Sequence, residues 1–365
     1  MTDFNAIMPW AGMRRCNLAD DGTVLAYWGE PGFKDDGSNG QVMVEVPAYH
    51  YRTEVLPSGY RWSSSPVSVP GLRLHPNWIR NGKAFDKIYI GAYKACRYDV
   101  SDGAYVLDDA AGADFTAGTG DKLSSIAGAK PISGEVDALT IVNARTLAHN
   151  RGPGWGLVDF LAASAVQMLM LIEYGSFNSQ QYIGRGIVDV SSGTGNMAMP
   201  TGQTASLGNK SGQATGNVHP VTGQAANSIS YRGLEDWWGN IWEWTDGINI
   251  KDNRPWVADH DYQSDLFAPP YQDAGVTLPA ENGYAADIAV AGSFDYGFLP
   301  SAVGASDKTK LCDYYYQSLG NRVALRGGVW AYGSYAGAWY WNLGNSSGGR
   351  SRTVGARLLY VGGSD

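Results

Sequence analysis

Through the first hundred residues, apolar and polar positions mostly alternate, and turn signals separate the runs. "DDGTVLAYWGE", Asp20 to Glu30, sets an Asp-Gly turn before a short alternating run. "DDGSNGQVMVEVPAYHYRTEV", Asp35 to Val55, repeats the design with an Asn-Gly turn. "AFDKIYIGAYKACRY", Ala84 to Tyr98, alternates aliphatic and aromatic residues. This period of two predicts β-strands. The period then changes. "SGEVDALTIVNARTLAHNRG", residues 133–152, reads as a short helix. "GWGLVDFLAASAVQMLMLIEYGSFNS", residues 154–179, reads as a longer one. Its Leu161, Ala165, Met168, Leu169 and Ile172 fall at helical spacing, and Gly175 offers a stop. Residues 191–228, rich in Gly, Ser, Thr, Asn and Gln, predict a surface excursion that buries little. Residues 251–310, broken by Pro255, Pro269, Pro270 and Pro279, predict a second loop-rich insertion. Strands, two helices, then strands and loops predict an α+β fold.

Composition points to loops, tight turns and aromatic surface rather than long solvated helices. Charged residues are 17% of the 365, below the roughly 25% of an average globular chain. Gly (48), Tyr (22) and Trp (13) take their place. The formal charge is −8 and no basic stripe is present, which argues against nucleic-acid binding. Cys16, Cys96 and Cys312 are far apart and form no Cys-x-x-Cys pair. His50, His75, His149, His219 and His260 lack metal-ligand spacing, so neither metal nor cofactor is expected. No apolar run has the length of a membrane span, and the first residues lack a secretory signal. Synthesis in a cytoplasm without a signal peptide is the expectation.

The most distinctive stretch is "YRGLEDWWGNIWEWTDGI", Tyr231 to Ile248. Trp238, Trp242 and Trp244 are apolar anchors, and Gly239 and Asn240 allow a tight turn. Asp236, Glu243 and Asp246 are carboxylates suited to buried backbone donors. They also fit a calcium or catalytic carboxylate site, although the spacing is not that of an EF-hand. "RVALRGGVW", Arg322 to Trp330, and "VGARLLYV", Val354 to Val361, follow in order. Together these segments resemble the Gly-Asn-Val-Trp-Glu-Trp, Arg-Gly-Gly-Ser-Trp and Gly-Phe-Arg motifs of the C-type lectin fold, in the branch shared with formylglycine-generating enzymes. "LMLIEYGSFNS" matches the position of that family's second helix. The resemblance spans about residues 40–361 and implies a C-type lectin-like fold elaborated with loop insertions. It also implies Trp330 as a core residue. Residues 1–40 would be a separate N-terminal β segment for oligomerisation or attachment. The enzymes of that branch carry a cysteine pair after the Arg-Gly-Gly strand. This chain has no cysteine after Cys312, so a non-enzymatic protein is expected.

The segment 325–361, "LRGGVWAYGSYAGAWYWNLGNSSGGRSRTVGARLLYV", is dense in Tyr, Trp, Ser, Asn and Gly. It resembles the variable region of proteins diversified by diversity-generating retroelements, phage tropism determinants among them. In such systems, adenine mutation of asparagine codons yields Tyr, Ser, Asp, Gly, Ala, Thr, His or Val, but never Lys, Glu, Gln or Met. Val329, Ala331, Tyr332, Tyr335, Tyr340, Gly344, Gly349, Ser351 and Thr353 are reachable in this way, and the four excluded residues are absent from 329–353. These positions are expected on one solvent-facing surface. Trp339 and Trp341 are not reachable and serve either as framework or as fixed binding aromatics. Arg350 and Arg352 offer charge-assisted contacts. The mixture of Tyr and Trp with Ser, Gly and Asn is that of antibody combining loops. The resemblance implies a phage-tail receptor-binding protein in the virion, with a bacterial surface protein or glycan as partner alongside other virion proteins. By the same analogy it implies a homo-oligomer, a trimer, since weak sites gain from multivalency. A structural tail or collar protein is the alternative function, a cell surface the alternative location, and a Gly- and aromatic-rich lectin loop with no history of diversification the alternative origin of the segment.

Overall fold

The computed structural model describes residues 2–110, 112–135 and 138–362. Two sheets dominate it. The first has six antiparallel strands, in spatial order Trp155–Leu157, Leu358–Tyr360, Lys87–Gly91, Gln41–Pro47, Arg14–Leu18 and Val24–Tyr27. Gln41–Pro47 is buried on both faces. Val42, Val44 and Val46 enter one apolar cluster, and Met43 enters the other. The second sheet runs Gln272–Asp273, Arg254–Val257, Trp242–Lys251, Asn321–Arg326, Trp341–Asn345, Tyr314–Gln317, Gly283–Ile288 and Pro300–Val303. Its ninth strand, Val354–Gly355, pairs parallel to Trp242–Glu243. The fold is therefore α+β with mostly sheet.

The long helix spans Phe160–Tyr174. Asp159 caps it by accepting the Ala162 amide at 2.8 Å, and Gly175 ends it in the left-handed region at φ 62°. Every residue from Phe160 to Leu171 is buried, as suits a helix apolar on all sides. The shorter helix begins at Ile141, later than the sequence pattern suggests, because Thr140 caps it. Residues 136 and 137 of that expected helix lie outside the described residues. A further one-turn helix, Ser179–Tyr182, was not anticipated. No helix is long and apolar enough to cross a membrane among the described residues.

Three expectations about segments change. Within residues 1–40, Arg14–Leu18 pairs directly with Gln41–Pro47, so this stretch forms the rim of the first sheet. The 191–228 segment buries more than its composition suggests. Met197, Ala198 and Met199 enter the core, where Asn240 accepts the Met199 amide at 2.8 Å and donates to its carbonyl at 3.1 Å. Residues 251–310 supply four strands of the second sheet, since prolines at strand starts and between strands leave the ladder intact.

The three motifs converge on one buried carboxylate. Glu243 lies at the start of its strand, where the chain crosses from the second sheet back to the first through Ala356–Arg357. Its Oε1 is 2.7 Å from Lys94 Nζ and 2.9 Å from Arg357 Nε, and its Oε2 accepts from Arg326 Nη2. All four side chains are buried. Arg326 lies over the Trp237 ring at 3.6 Å. Arg357 also donates to the carbonyls of Gly91, Ala92, Glu235 and Asp236. Burial alone would raise the Glu243 pKa, but the three cations hold it well below the usual carboxylate range. Burial lowers Lys94 to about 8 and Arg326 to about 10.

Candidate functional site

The loop after the Asn321–Arg326 strand is fixed by close backbone approach. Gly327 and Gly328 have φ of 86° and 89°. A Cβ on Gly328 would lie 2.6 Å from that of Ala336, so only glycine fits there. Trp330 donates its amide to the Asn240 carbonyl at 3.0 Å and accepts from the Val190 amide at 2.7 Å. The Gly333 amide donates to the Val188 carbonyl at 2.8 Å. Gln180 Nε2 donates to the carbonyls of Gly333 and Ala336 at 2.9 and 2.7 Å. The loop is thus held by its main chain, which frees its outward side chains from structural duty.

Those side chains include Ala331, Tyr332 and Tyr335. Tyr332 is 36% exposed and Tyr335 42%. Tyr335 packs on Tyr314 at 4.4 Å and Tyr284 at 5.4 Å, and the Tyr284 hydroxyl is 3.0 Å from Ser334 Oγ. Tyr332 stacks near Tyr340 at 6.0 Å and meets the edge of Trp242 at 5.4 Å. Tyr316, 40% exposed, extends the face along its strand. Partial burial raises the phenol pKa of both Tyr332 and Tyr284, so both hydroxyls stay protonated donors at neutral pH. The result is a surface of tyrosine rings with Ser334 and Asn342 between them, supported by rigid sheet.

The structure divides the expected surface. Val329, Trp339, Tyr340 and Trp341 are buried, at 2, 7, 2 and 0% exposure, and are not on it. Val329 lies in the loop after Asn321–Arg326, and Trp339 and Tyr340 in the turn that leads into Trp341–Asn345, between apolar clusters that cover the chain on both sides. Trp339 and Trp341 point into the cluster of the long helix, where they meet Phe177 and Phe160. Tyr340 points the other way, onto Trp242 at 4.6 Å. Trp339 and Trp341 are therefore framework. Gly344 lies under the Tyr316 ring, since a Cβ there would come within 2.5 Å of it. Variation at 344 would act by moving Tyr316. Gly349, Arg350, Ser351 and Thr353 form a separate patch on the turn after Trp341–Asn345. Among the described residues, no hydrogen bond or ring contact ties them to the tyrosines. Arg350 is exposed. Arg352 is committed to the fold, donating to the carbonyls of Gly193 and Gly195, the latter at 2.6 Å.

The chain is similar to solved Major Tropism Determinant variants. The I1 and P3c variants are each 13% identical over 95% of this chain and 71% of theirs, with TM-scores of 0.31. The U1 variant is 14% identical with a TM-score of 0.32. So loose a superposition bears on neither ligand nor activity. No family model matches the chain, and no curated protein matches it.

The sequence reading missed Tyr284, Tyr314 and Tyr316. The signal was present in "YYYQ", Tyr314 to Gln317, where alternation turns the first and third rings outward. The remaining candidate carboxylates are occupied within the fold. Asp246 pairs with Arg145 at 2.7 and 2.8 Å. Asp236 accepts from Ser228 Oγ, the Ile229 amide and Asn240 Nδ2. Trp238, Trp242, Trp244 and Trp330 are buried. Among the described residues, no cluster of His, Cys, Asp and Glu is arranged to hold a metal. All three cysteines are buried, and burial raises each thiol pKa.

Proposed function

We propose that the chain is a non-enzymatic receptor-binding protein of a phage tail. In this reading the domain is an elaborated C-type lectin-like fold, and it engages a bacterial surface protein or glycan through the tyrosine face. One observation carries the proposal. Exposed tyrosines with small polar residues between them sit on a loop held by its own main chain. Rigid amphipathic rings of this kind offer contact area at low entropic cost. Ala331 is exposed, and Tyr332 and Tyr335 lie on the outer side of the rings they pack against, so they suit diversification, as do Gly349, Ser351 and Thr353. Val329 and Tyr340 would stay constant. The working particle is a homo-oligomer, a trimer, attached to other virion proteins.

The test replaces Tyr316, Tyr332 and Tyr335 together with Ser and compares adsorption of the two proteins to a panel of bacterial cells. Adsorption should fall at least tenfold while melting hardly changes. Unchanged adsorption by a folded triple variant would refute the reading.

A further inference from the structure

A polar cleft of about 270 Å³ opens beside the tyrosine face. Asn178, Gln180, Arg185, Asp307, Asp313 and Ser334 are among the residues that line it. Ser334 joins the two features, since it also meets the Tyr284 hydroxyl.

Asp313 is the unusual member. It is 5% exposed, yet no Lys, Arg or His forms an ion pair with it among the described residues. Its Oδ2 accepts the Trp339 amide at 2.8 Å. Among the described residues, its Oδ1 has only the weak thiol donor of Cys312, at 3.7 Å, which is shared with the Phe177 carbonyl at 3.5 Å. Buried carboxylates are ordinarily paired with a cation, and the one cationic residue among those lining this cleft, Arg185, is committed elsewhere. Arg185 is held by both oxygens of Asp189, at 2.6 and 2.8 Å, and by Gln180 Oε1 at 2.6 Å. The fold makes room for the carboxylate, because a Cβ on Gly337 would stand 2.1 Å from both oxygens. Burial pushes the Asp313 pKa up to about 7, as expected of a carboxylate short of a counter-charge. Asp307 adds a second acidic group at the cleft.

We propose that this cleft is a subsite for an ammonium group, carried either by a lysine-type side chain or by an amino sugar, with Asp313 as the counter-charge. Asn178 and Gln180 line the same cleft, but their amide oxygens already accept from the Gln181 amide and from Arg185, so Asp313 is the acceptor on which the site depends. The cleft stands on its own geometry and does not require the tyrosine face to bind the same molecule.

The experiment is titration of the full chain, by calorimetry and by amide NMR at pH 7.4, with four probes. Nα-acetyl-lysine amide and glucosamine carry the ammonium. Nα,Nε-diacetyl-lysine amide and N-acetylglucosamine are their neutral counterparts. One or both ammonium probes should bind in the millimolar range or tighter, and the neutral ones at least tenfold more weakly. Which ammonium probe binds separates the two sources. Asp313→Asn, matched in shape, should lose at least tenfold in affinity. Ser334→Lys, which supplies a cation at the rim and leaves Asp313 in place, should also block the site if the first variant misfolds. Tyr332→Ser with Tyr335→Ser should leave ammonium binding unchanged while reducing adsorption to cells. Equal binding of neutral and charged probes, no binding at all, or full binding by Asp313→Asn would overturn the ammonium site and leave the tyrosine-face reading to its own test.

Discussion

Glu243→Gln is the substitution that should most damage this scaffold at least cost in shape. Gln keeps the volume and one acceptor, but it places an NH2 where Arg326 now donates and leaves three buried cations without their anion. Breaking a buried ion pair by removing one partner costs about 3–5 kcal/mol. That is a large share of a total stability of roughly 5–15 kcal/mol. Unfolding entropy near 2.1 cal/mol/K per residue gives ~0.8 kcal/mol/K for a chain of this length. The melting temperature should therefore fall by about 5 °C at pH 7. The pH dependence gives a second readout. Lys94 is already lowered to about 8 by burial, against the support of Glu243. Without that support its folded pKa drops further. Between the folded and unfolded values the unfolded chain binds more protons, so stability rises with pH. That window opens near pH 8 in the parent and lower in the variant, so the gap between them should narrow from pH 6 to pH 8. Differential scanning calorimetry at several pH values reads both effects. A variant melting within about 1 °C of the parent at pH 7 would show that the converging motifs are not held together through this carboxylate.

Other substitutions test separate parts of the account. Tyr340→Ser should cost about 3–5 kcal/mol, as for other buried aromatics cut to small residues, whereas Tyr335→Ser should stay within about 1 kcal/mol; chemical denaturation distinguishes them, and equal costs would refute the division between core and face. Asp313→Asn should leave stability unchanged near pH 3 and raise it above pH 7. A carboxyl whose folded pKa is raised binds more protons folded than unfolded, so the parent loses stability as pH climbs from about 4 to about 7; at 1.36 kcal/mol per pKa unit the variant gains up to ~4 kcal/mol, and a flat difference across that range would contradict the buried-charge assignment. Arg352→Ala should release the 193–195 backbone and speed proteolysis there, with no cleavage difference counting against a structural role for Arg352. Incubation with a cysteine-containing sulfatase-type peptide, copper and oxygen should give no formylglycine, detectable by mass spectrometry.

The sequence showed the scaffold more clearly than the surface. The Gly175 stop, the turn at Gly239 and Asn240, and the buried tryptophans of the Tyr231–Ile248 stretch follow from local rules, because a helix end or tight turn depends on its own residues. The pairing of Glu243 with Lys94, Arg326 and Arg357 was not legible, because it joins residues far apart in the chain. Residues 191–228 misled for a related reason. Composition reports what a segment can bury by itself, and Met197–Met199 are buried by Asn240 and the core around it. In the C-terminal segment, residue type marked the aromatic richness but not its direction. Trp339 and Tyr340, in the turn before the strand, and Trp341, its first residue, enter apolar clusters on opposite sides of the chain, so all three are internal. Tyr335 belongs to a loop held by its main chain and remains outside. Tyr316 was overlooked because it lies outside the segment that drew notice, on a parallel neighbour of Trp341–Asn345.

The central claim is that one part of the C-terminal surface tolerates change and selects the ligand, while the core beneath it does not. The most direct measurement is a saturation library at Val329, Ala331, Tyr332, Tyr335 and Tyr340, sorted first for folded protein and then for adsorption to different bacterial strains. The account predicts that Ala331, Tyr332 and Tyr335 accept Tyr, Ser, Asp and Gly in the folded pool and that their identities separate the strain-selected pools. Val329 and Tyr340 should return almost unchanged from the folding sort. Free variation at Val329 and Tyr340, or strain-selected pools that do not differ at Ala331, Tyr332 and Tyr335, would contradict it.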